Sequence, residues 1–312
     1  MATGSVEDEV NGLFGALLAA QRSEAGAQHF CWQAAVEEVC VGCGTASPPA
    51  LCSACREVAY CGGGCQKRHW AAHKATCRGR VATTSARGGE AATRYVHTVW
   101  GLWDTVPLPA KARCSRAAAA LLLPRPRAAV WSRMAVEQLL VAEASQEWRE
   151  VWFRLPRGVC QADVARYLIA FHAGGLYLDA DAELLKALPE GSWQVFLLIE
   201  QRVPDVRYLG PRESPHLVRI AQFMFATVPG HRFWQSVLEL SLRRCQELLE
   251  EGTEWTDNDV LWATGPDVVT SIYHEQFASD GAIEVQLARD FARHECEGAW
   301  RRGADAAAHQ RA

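Results

Sequence analysis

The stretch Gln161-Ala162-Asp163-Val164-Ala165-Arg166-Tyr167-Leu168-Ile169-Ala170-Phe171-His172-Ala173-Gly174-Gly175-Leu176-Tyr177-Leu178-Asp179-Ala180-Asp181 decides the reading of this chain. Gln161 to Ala173 reads as a helix, and Gly174-Gly175 is the glycine stop that commonly closes one. Leu176-Tyr177-Leu178 then reads as a short buried strand, which ends at Asp179. Two carboxylates two residues apart leave that strand on an extended chain, where they can share one hard divalent ion. The spacing alone says little, because Asp257-Asn258-Asp259 repeats it and reads as a helix N-cap or surface turn. The surroundings distinguish the first pair: a helix, a glycine stop and a buried strand precede it.

Working outward, the pattern alternates. Tyr95 to Trp100 and Ala128 to Trp131 read as strands, Arg133 to Glu150 as a helix, and Val151 to Leu155 as a strand. Gln194 to Ile199 and Gln222 to Ala226 read as further strands, and His231 to Glu250 as a long helix. Strands alternating with helices predict an α/β domain with a mostly parallel sheet flanked by helices, in which ligands bind at the carboxyl ends of strands. Residues 78–93 are Gly, Ser, Thr, Ala and Arg with almost no large apolar side chain, and read as a flexible linker. Residues 1–39 hold a helical pattern (Leu13, Leu17, Trp32, Val36, Val39), and 302–312 read as a disordered tail.

The 312 residues are 49% hydrophobic and 22% charged, ordinary for a globular protein, which excludes disorder over most of the chain. A net charge of −4 excludes a polycation built to coat nucleic acid, and no direct nucleic-acid binding is expected. Six cations (Lys111, Arg113, Arg116, Arg125, Arg127, Arg133) without an acid between Thr105 and Val136 read as a solvated face. The longest early apolar run, Leu13 to Ala20, is too short to span a bilayer, and the first ten residues lack the basic flank of a signal peptide. A cytoplasmic or nuclear location, where thiols stay reduced, is the expectation.

In that setting twelve cysteines need a reason other than disulfides. Seven lie between Cys40 and Cys77, as Cys40-x2-Cys43, Cys52-x2-Cys55, Cys61-x3-Cys65 and His73-x3-Cys77. Eight soft ligands in four pairs suffice for two tetrahedral Zn²⁺ sites, and the segment has too little apolar content to fold without metal. Cys31, Cys114, Cys160, Cys245 and Cys296 read as ordinary buried thiols, and His69 as a surface residue. The run Ala59-Tyr60-Cys61-x3-Cys65-Gln66-x3-Trp70-x2-His73-x3-Cys77 closely resembles the MYND zinc finger. The resemblance implies interleaved sites: Cys40, Cys43, Cys61 and Cys65 on one zinc, and Cys52, Cys55, His73 and Cys77 on the other. It also implies a role in binding short proline-containing peptides of a partner protein.

The helix, glycine stop and acids from Asp163 to Asp181 resemble the DXD sugar-binding region of glycosyltransferases, such as the yeast initiating α-1,6-mannosyltransferases, the capsular polysaccharide enzymes and, more distantly, the clostridial glucosylating toxins. Supporting pieces follow in order: Tyr95 to Trp100 as first strand, Phe223-Met224-Phe225-Ala226 with Pro229-Gly230-His231, Thr264-Gly265-Pro266 opening a helix, and His294-x3-Gly298-Ala299-Trp300. The resemblance spans residues 94–301 and implies a GT-A-like (Rossmann-like) domain. It implies that Asp181 ligates a catalytic Mn²⁺ or Mg²⁺ directly and that Asp179 holds the ribose or a second metal position. Asp163 and Arg166, at i and i+3 on one helix face, would grip hydroxyls of the donor sugar. Tyr177 would lie beside the nucleotide, Trp100 would stack on the base, and His294 would be a further metal ligand. Ala299 and Gln222 depart from the usual Ser and Asn.

The expected chain is a small zinc-stabilised module (40–77) ahead of a metal-dependent hexosyltransferase (94–301), working with retention on a nucleotide sugar and a protein or small-molecule glycan acceptor. The competing expectation is a non-catalytic interaction protein that binds a nucleotide sugar without turnover.

Overall fold

The computed structural model describes residues 37–40, 43, 50–52, 59–77, 95–100, 119, 122–123, 127–201, 212, 216 and 218–295. The N-terminal helical pattern up to residue 36, the linker, Cys31, Cys55, Cys114, Cys296, Ala299, Trp300, the tail and most of the cation-rich stretch lie outside the described residues.

Seven strands form the main sheet: β1 (Glu37–Val39), β4 (Tyr95–Val99), β5 (Arg127–Trp131), β6 (Gly175–Leu178), β8 (Val195–Gln201), β9 (Val218–Thr227) and β10 (Ile283–Leu287), in the order β1-β5-β4-β6-β9-β8-β10. Neighbours β5 and β4, β4 and β6, and β8 and β10 are parallel, whereas β9 is antiparallel to both β6 and β8, and β1 to β5. Five of the seven strands therefore run one way, as the alternating pattern predicts. Two small antiparallel pairs complete the set: β2 (Ala50–Leu51) with β3 (Ala59–Tyr60), and β7 (Ala182–Leu184) with β11 (Ala292–His294).

The helices are α1 (Gly63–Thr76), α2 (Arg133–Glu143), α3 (Gln146–Trp152), α4 (Gly158–His172), α5 (Arg232–Glu251), α6 (Asp257–Ala263), α7 (Pro266–Ile272) and α8 (Ala288–Phe291). Two sequence expectations are corrected here. The helix read over Arg133 to Glu150 is two helices, because Ser145 caps a new start by accepting from the Trp148 N–H at 3.3 Å. The strand read over Val151 to Leu155 is instead the end of α3: Trp148, Val151 and Trp152 are buried at helical spacing and override the β-branched and aromatic local preference. Residues 37–39, read within a helical pattern, are a strand.

The sheet carries a core on each face. Leu176, Leu178, Phe196, Leu198 and Met224 belong to one buried cluster. On the other face Tyr177 stacks on Phe225 at 5.1 Å between ring centroids, Phe225 meets Trp234 of α5 at 4.2 Å, and Trp234 meets Tyr167 of α4 at 6.0 Å. That aromatic column fixes α4 against the strand that carries the acids. The turn between them needs both glycines. Gly174 and Gly175 have φ of +64° and +90°, and a Cβ at Gly175 would lie 2.7 Å from Nε2 of His97.

Candidate functional site

The acids leave β6 at its carboxyl end, the edge where parallel sheets bind ligands. Thr98 Oγ1 donates to the Leu178 carbonyl at 2.8 Å, and the Asp179 N–H donates to the Phe223 carbonyl at 2.8 Å, so both neighbouring strands hold the exit. The Ala182 N–H then donates to the Asp179 carbonyl at 3.1 Å, a turn that starts β7. Strand β11 pairs with β7 with Ala182 opposite His294, and the Glu295 N–H donates to the Asp181 carbonyl at 3.2 Å. This pairing brings a histidine from the far end of the chain to the acids: His294 Nε2 lies 3.3 Å from Asp181 Oδ1. The Phe223 ring stacks on the imidazole, with centroids 4.3 Å apart at 20°.

One ligand atom each from Asp179, Asp181 and His294 lies within 4.8 Å of the others. Two carboxylates and an imidazole suit a divalent cation. Burial pulls the His294 pKa down, but the hydrogen bond and charge of Asp181, helped by Asp179 and Glu200, outweigh it and raise the value above the ordinary 6.5.

Behind the acids lies a buried polar lattice. Arg166 bridges Asp163 (2.9 Å) and Asp179 (3.0 Å) and donates to the Gln222 carbonyl at 3.2 Å. Burial disfavours its charge, but Asp179, Tyr177 and Asp163 together raise its pKa. The Asp163 carboxylate is 1% exposed and also accepts from Gln222 Nε2 and Thr264 Oγ1, each at 3.0 Å. Burial pushes its carboxyl up to about 7, against the pull of Arg166, Thr264 and Gln222. Tyr167 Oη lies 2.6 Å from Gln222 Oε1 and 2.8 Å from the Thr264 carbonyl, closing the ring of partners. Gly265 fits beneath it because a Cβ there would lie 2.6 Å from Leu261 Cα.

Asp163 and Arg166 thus share the helix face that their spacing predicts, but they point inward and pair with each other, and Arg166 also holds Asp179. Tyr177 is also buried; its hydroxyl donates to Asp179 Oδ1 at 2.8 Å, and the Arg166 guanidinium sits 5.2 Å from its ring centroid. Trp100 is half-buried where β4 ends, on the same edge of the sheet, its N–H donating to the Trp131 carbonyl at 3.0 Å. The second acid pair is structural. Thr256 caps α6 in a reciprocal capping box with Asp259, and Asp257 pairs with Arg157 at 2.7 Å. Sequence reasoning did not assign Tyr167, Thr264, Phe223 or Glu200 to the site. Their contacts span up to a hundred residues and leave no local pattern.

In the cysteine-rich module the interleaved grouping is present. Cys40, Cys43, Cys61 and Cys65 cluster together, and Cys52, His73 and Cys77 form a second group; Cys55 lies outside the described residues. Tetrahedral thiolates on one Zn²⁺ stand about 3.8 Å apart. Here Cys43 to Cys61 is 3.6 Å, Cys61 to Cys65 3.5 Å, and Cys52 to Cys77 3.9 Å, with His73 Nε2 3.4 Å from Cys52 Sγ. Both groups fit zinc. Arg68 donates to Cys65 Sγ at 2.8 Å, a cation placed on a thiolate cluster. His69 is a correction: it is buried, not on the surface. Tyr60 Oη lies 2.8 Å from its Nδ1, and its ring stacks on His73 at 5.9 Å. Outside the module, Cys160 and Cys245 are buried thiols as expected, and burial pushes Cys160 up to about 12.

Comparison with known proteins follows the same division. The MYND finger family matches residues 40–77, and the family described as glycosyltransferase sugar-binding region containing DXD motif matches residues 102–208. The chain therefore carries a MYND finger and a glycosyltransferase DXD region. The second match ends before Phe223, Thr264 and His294, so the placement of those three rests on geometry alone. No curated protein matches the chain. A solved structure titled PaToxG Glycosyltransferase aligns at 15% identity over 68% of this chain and 81% of that one, with a TM-score of 0.41. Among the described residues no helix is long and apolar enough to cross a membrane.

Proposed function

We propose that this chain is a divalent-metal-dependent glycosyltransferase that moves a hexose from a nucleotide sugar to a protein or small-molecule glycan acceptor, with retention at the anomeric carbon. The observation that carries the reading is the convergence of Asp179, Asp181 and His294 within 4.8 Å at the carboxyl edge of the sheet. Asp181 and His294 would hold Mn²⁺ or Mg²⁺, with Asp179 beside them. When bound, such an ion supplies charge stabilisation to a departing diphosphate. The chain's own residues do the rest. Tyr177 and Arg166 each hold one oxygen of Asp179, which fixes the carboxylate in one orientation. Asp163, held by Gln222 and Thr264, anchors Arg166 in turn. Arg166 and Asp163 are charge-paired and in place behind the acids before the donor arrives, so little reorganisation accompanies binding. Trp100 at the end of β4 offers a flat ring for the nucleobase.

The finger, with one zinc on Cys40, Cys43, Cys61 and Cys65 and one on Cys52, Cys55, His73 and Cys77, would bring the enzyme to partners bearing proline-containing segments. A panel of nucleotide sugars tested with Mn²⁺, by thermal shift and by release of nucleoside diphosphate, is the deciding experiment. Stabilisation by one sugar nucleotide together with metal-dependent diphosphate release is expected. Stabilisation without release would convert the reading to a binding module, and neither would remove it.

A further inference from the structure

The strand that leads into the finger belongs to the main sheet. β1 lies on the outer edge of the main sheet, with Glu37 opposite Val130, Glu38 opposite Ala129 and Val39 opposite Ala128. The next residue is Cys40, buried at 1% exposure. The Cys43 N–H donates to the Cys40 carbonyl at 3.3 Å, a turn that delivers both thiols to the cluster with Cys61 and Cys65.

Without β1 the outermost strand would be β5, with a row of unpaired backbone groups on a sheet edge. Three residues cannot hold that edge alone, because ordering them loses about as much backbone entropy as their few hydrogen bonds return. An anchor at one end changes the balance. Cys40 is bound to the strand by one peptide bond, and three ligands from other parts of the module fix its position. What β5 supports lies one layer in. Its last residue, Trp131, accepts the Trp100 N–H on its carbonyl at 3.0 Å and donates its indole N–H to His97 Nδ1 at 3.0 Å.

We infer that zinc on Cys40, Cys43, Cys61 and Cys65 locks β1 onto the sheet and closes its open edge, so that the finger is a structural part of the transferase domain besides being a site for partners. Loss of this zinc frees β1 and loosens β5, and with it the end of β4 that carries Trp100.

Hydrogen exchange on the full-length reduced protein tests this, alongside zinc content. Peptides covering Arg127–Trp131 are compared with peptides covering Val195–Gln201 in the middle of the sheet. Chelation, and separately Cys40→Ser, should speed exchange at Arg127–Trp131 by about tenfold or more, leave Val195–Gln201 protected, and, for chelation, reverse when zinc is restored. Unchanged exchange at Arg127–Trp131 after zinc loss would overturn the inference. So would an equal rise at Val195–Gln201, which would mean that zinc holds the whole domain and not its edge. No nucleotide sugar enters the measurement, so failure of sugar transfer and failure of this coupling are told apart.

Discussion

Asp181→Asn should abolish metal-dependent nucleotide-sugar turnover while barely changing stability. The side chain is 29% exposed and its partner His294 23% exposed, with 3.3 Å between them. An ion pair so open to water is worth about 0.2–1 kcal/mol. For a domain of this size each kcal/mol moves Tm by roughly 2–4 °C, so the stability loss should stay below about 4 °C. Asn keeps the shape and removes the charge, which leaves the cluster with one carboxylate and one imidazole. Losing an electrostatic contribution of this kind typically costs roughly 10²–10³ in rate. Asp257→Asn is the matched control. Asp257 sits in the chain's other D-x-D, is 45% exposed and has its own partner in Arg157 at 2.7 Å. The two variants should therefore lose similar small amounts of stability and differ only in chemistry. The assays are Mn²⁺ binding by electron paramagnetic resonance, diphosphate release and a melting curve. Near wild-type turnover in Asp181→Asn, with Mn²⁺ dependence intact, would show that this cluster is not the catalytic centre. A large drop in Tm with turnover spared would make Asp181 a structural acid.

Mn²⁺ affinity should fall as pH drops through the raised His294 value, because the imidazole ligates only when neutral. The metal-free Asp181–His294 pair has the opposite sign: its stabilisation is full below the unfolded-state value and fades as pH rises through the folded one; titrations with and without Mn²⁺ should show the two trends. Phe223→Leu removes the ring stacked on His294 but keeps the carbonyl that accepts from Asp179, so Mn²⁺ affinity should drop about tenfold with a stability loss under about 1.5 kcal/mol; unchanged affinity by paramagnetic resonance would refute the positioning role. Gly175→Ala places a Cβ 2.7 Å from the His97 ring at φ +90°, a strain plus overpacking cost of roughly 2–5 kcal/mol, and a melting curve within 2 °C of wild type would refute it.

What the sequence made legible is what local pattern encodes. The Gly174-Gly175 stop, the buried Leu176–Leu178 strand and the acids after it are contiguous, and their order is enough to place them at a strand end. The cysteine pairs are similar, since each pair sits within one turn. Val151 to Leu155 was misleading because β-branched and aromatic residues fit either a strand or a helix with one buried face, and the burial of Trp148 with Trp152 decides for the helix. His69 reads as a surface residue because it breaks the ligand spacing, but one turn of helix places it on the same side as His73, where Tyr60 covers it.

His294 and Asp163 enter the sequence reading only through the family resemblance, because the contacts that bring them to the site depend on strand register between distant segments. His294 reaches Asp181 only through the pairing of Ala292–His294 with Ala182–Leu184, and a shift of one residue would turn the imidazole to the other face. The same holds for the Tyr167, Gln222, Asp163 and Thr264 ring, whose members come from α4, β9 and the turn into α7. These two constructions have one consequence in common. Arg166 cancels much of the charge of Asp163 and Asp179 from below, whereas Asp181 and His294 meet at the rim. The charge left for a cation is concentrated on the outer acid, the one that β11 supports. The outer acid is therefore where substitution should separate chemistry from stability. Asp163→Asn should do the reverse: Arg166 keeps Asp179 as its ion-pair partner, but an amide N–H₂ replaces an oxygen that accepts from Gln222, Thr264 or Arg166 in a buried site, and a loss of about 1–3 kcal/mol is expected for leaving such a buried donor without its acceptor. If Asp163→Asn melted with wild-type protein, the buried lattice would not be what holds the acids in place.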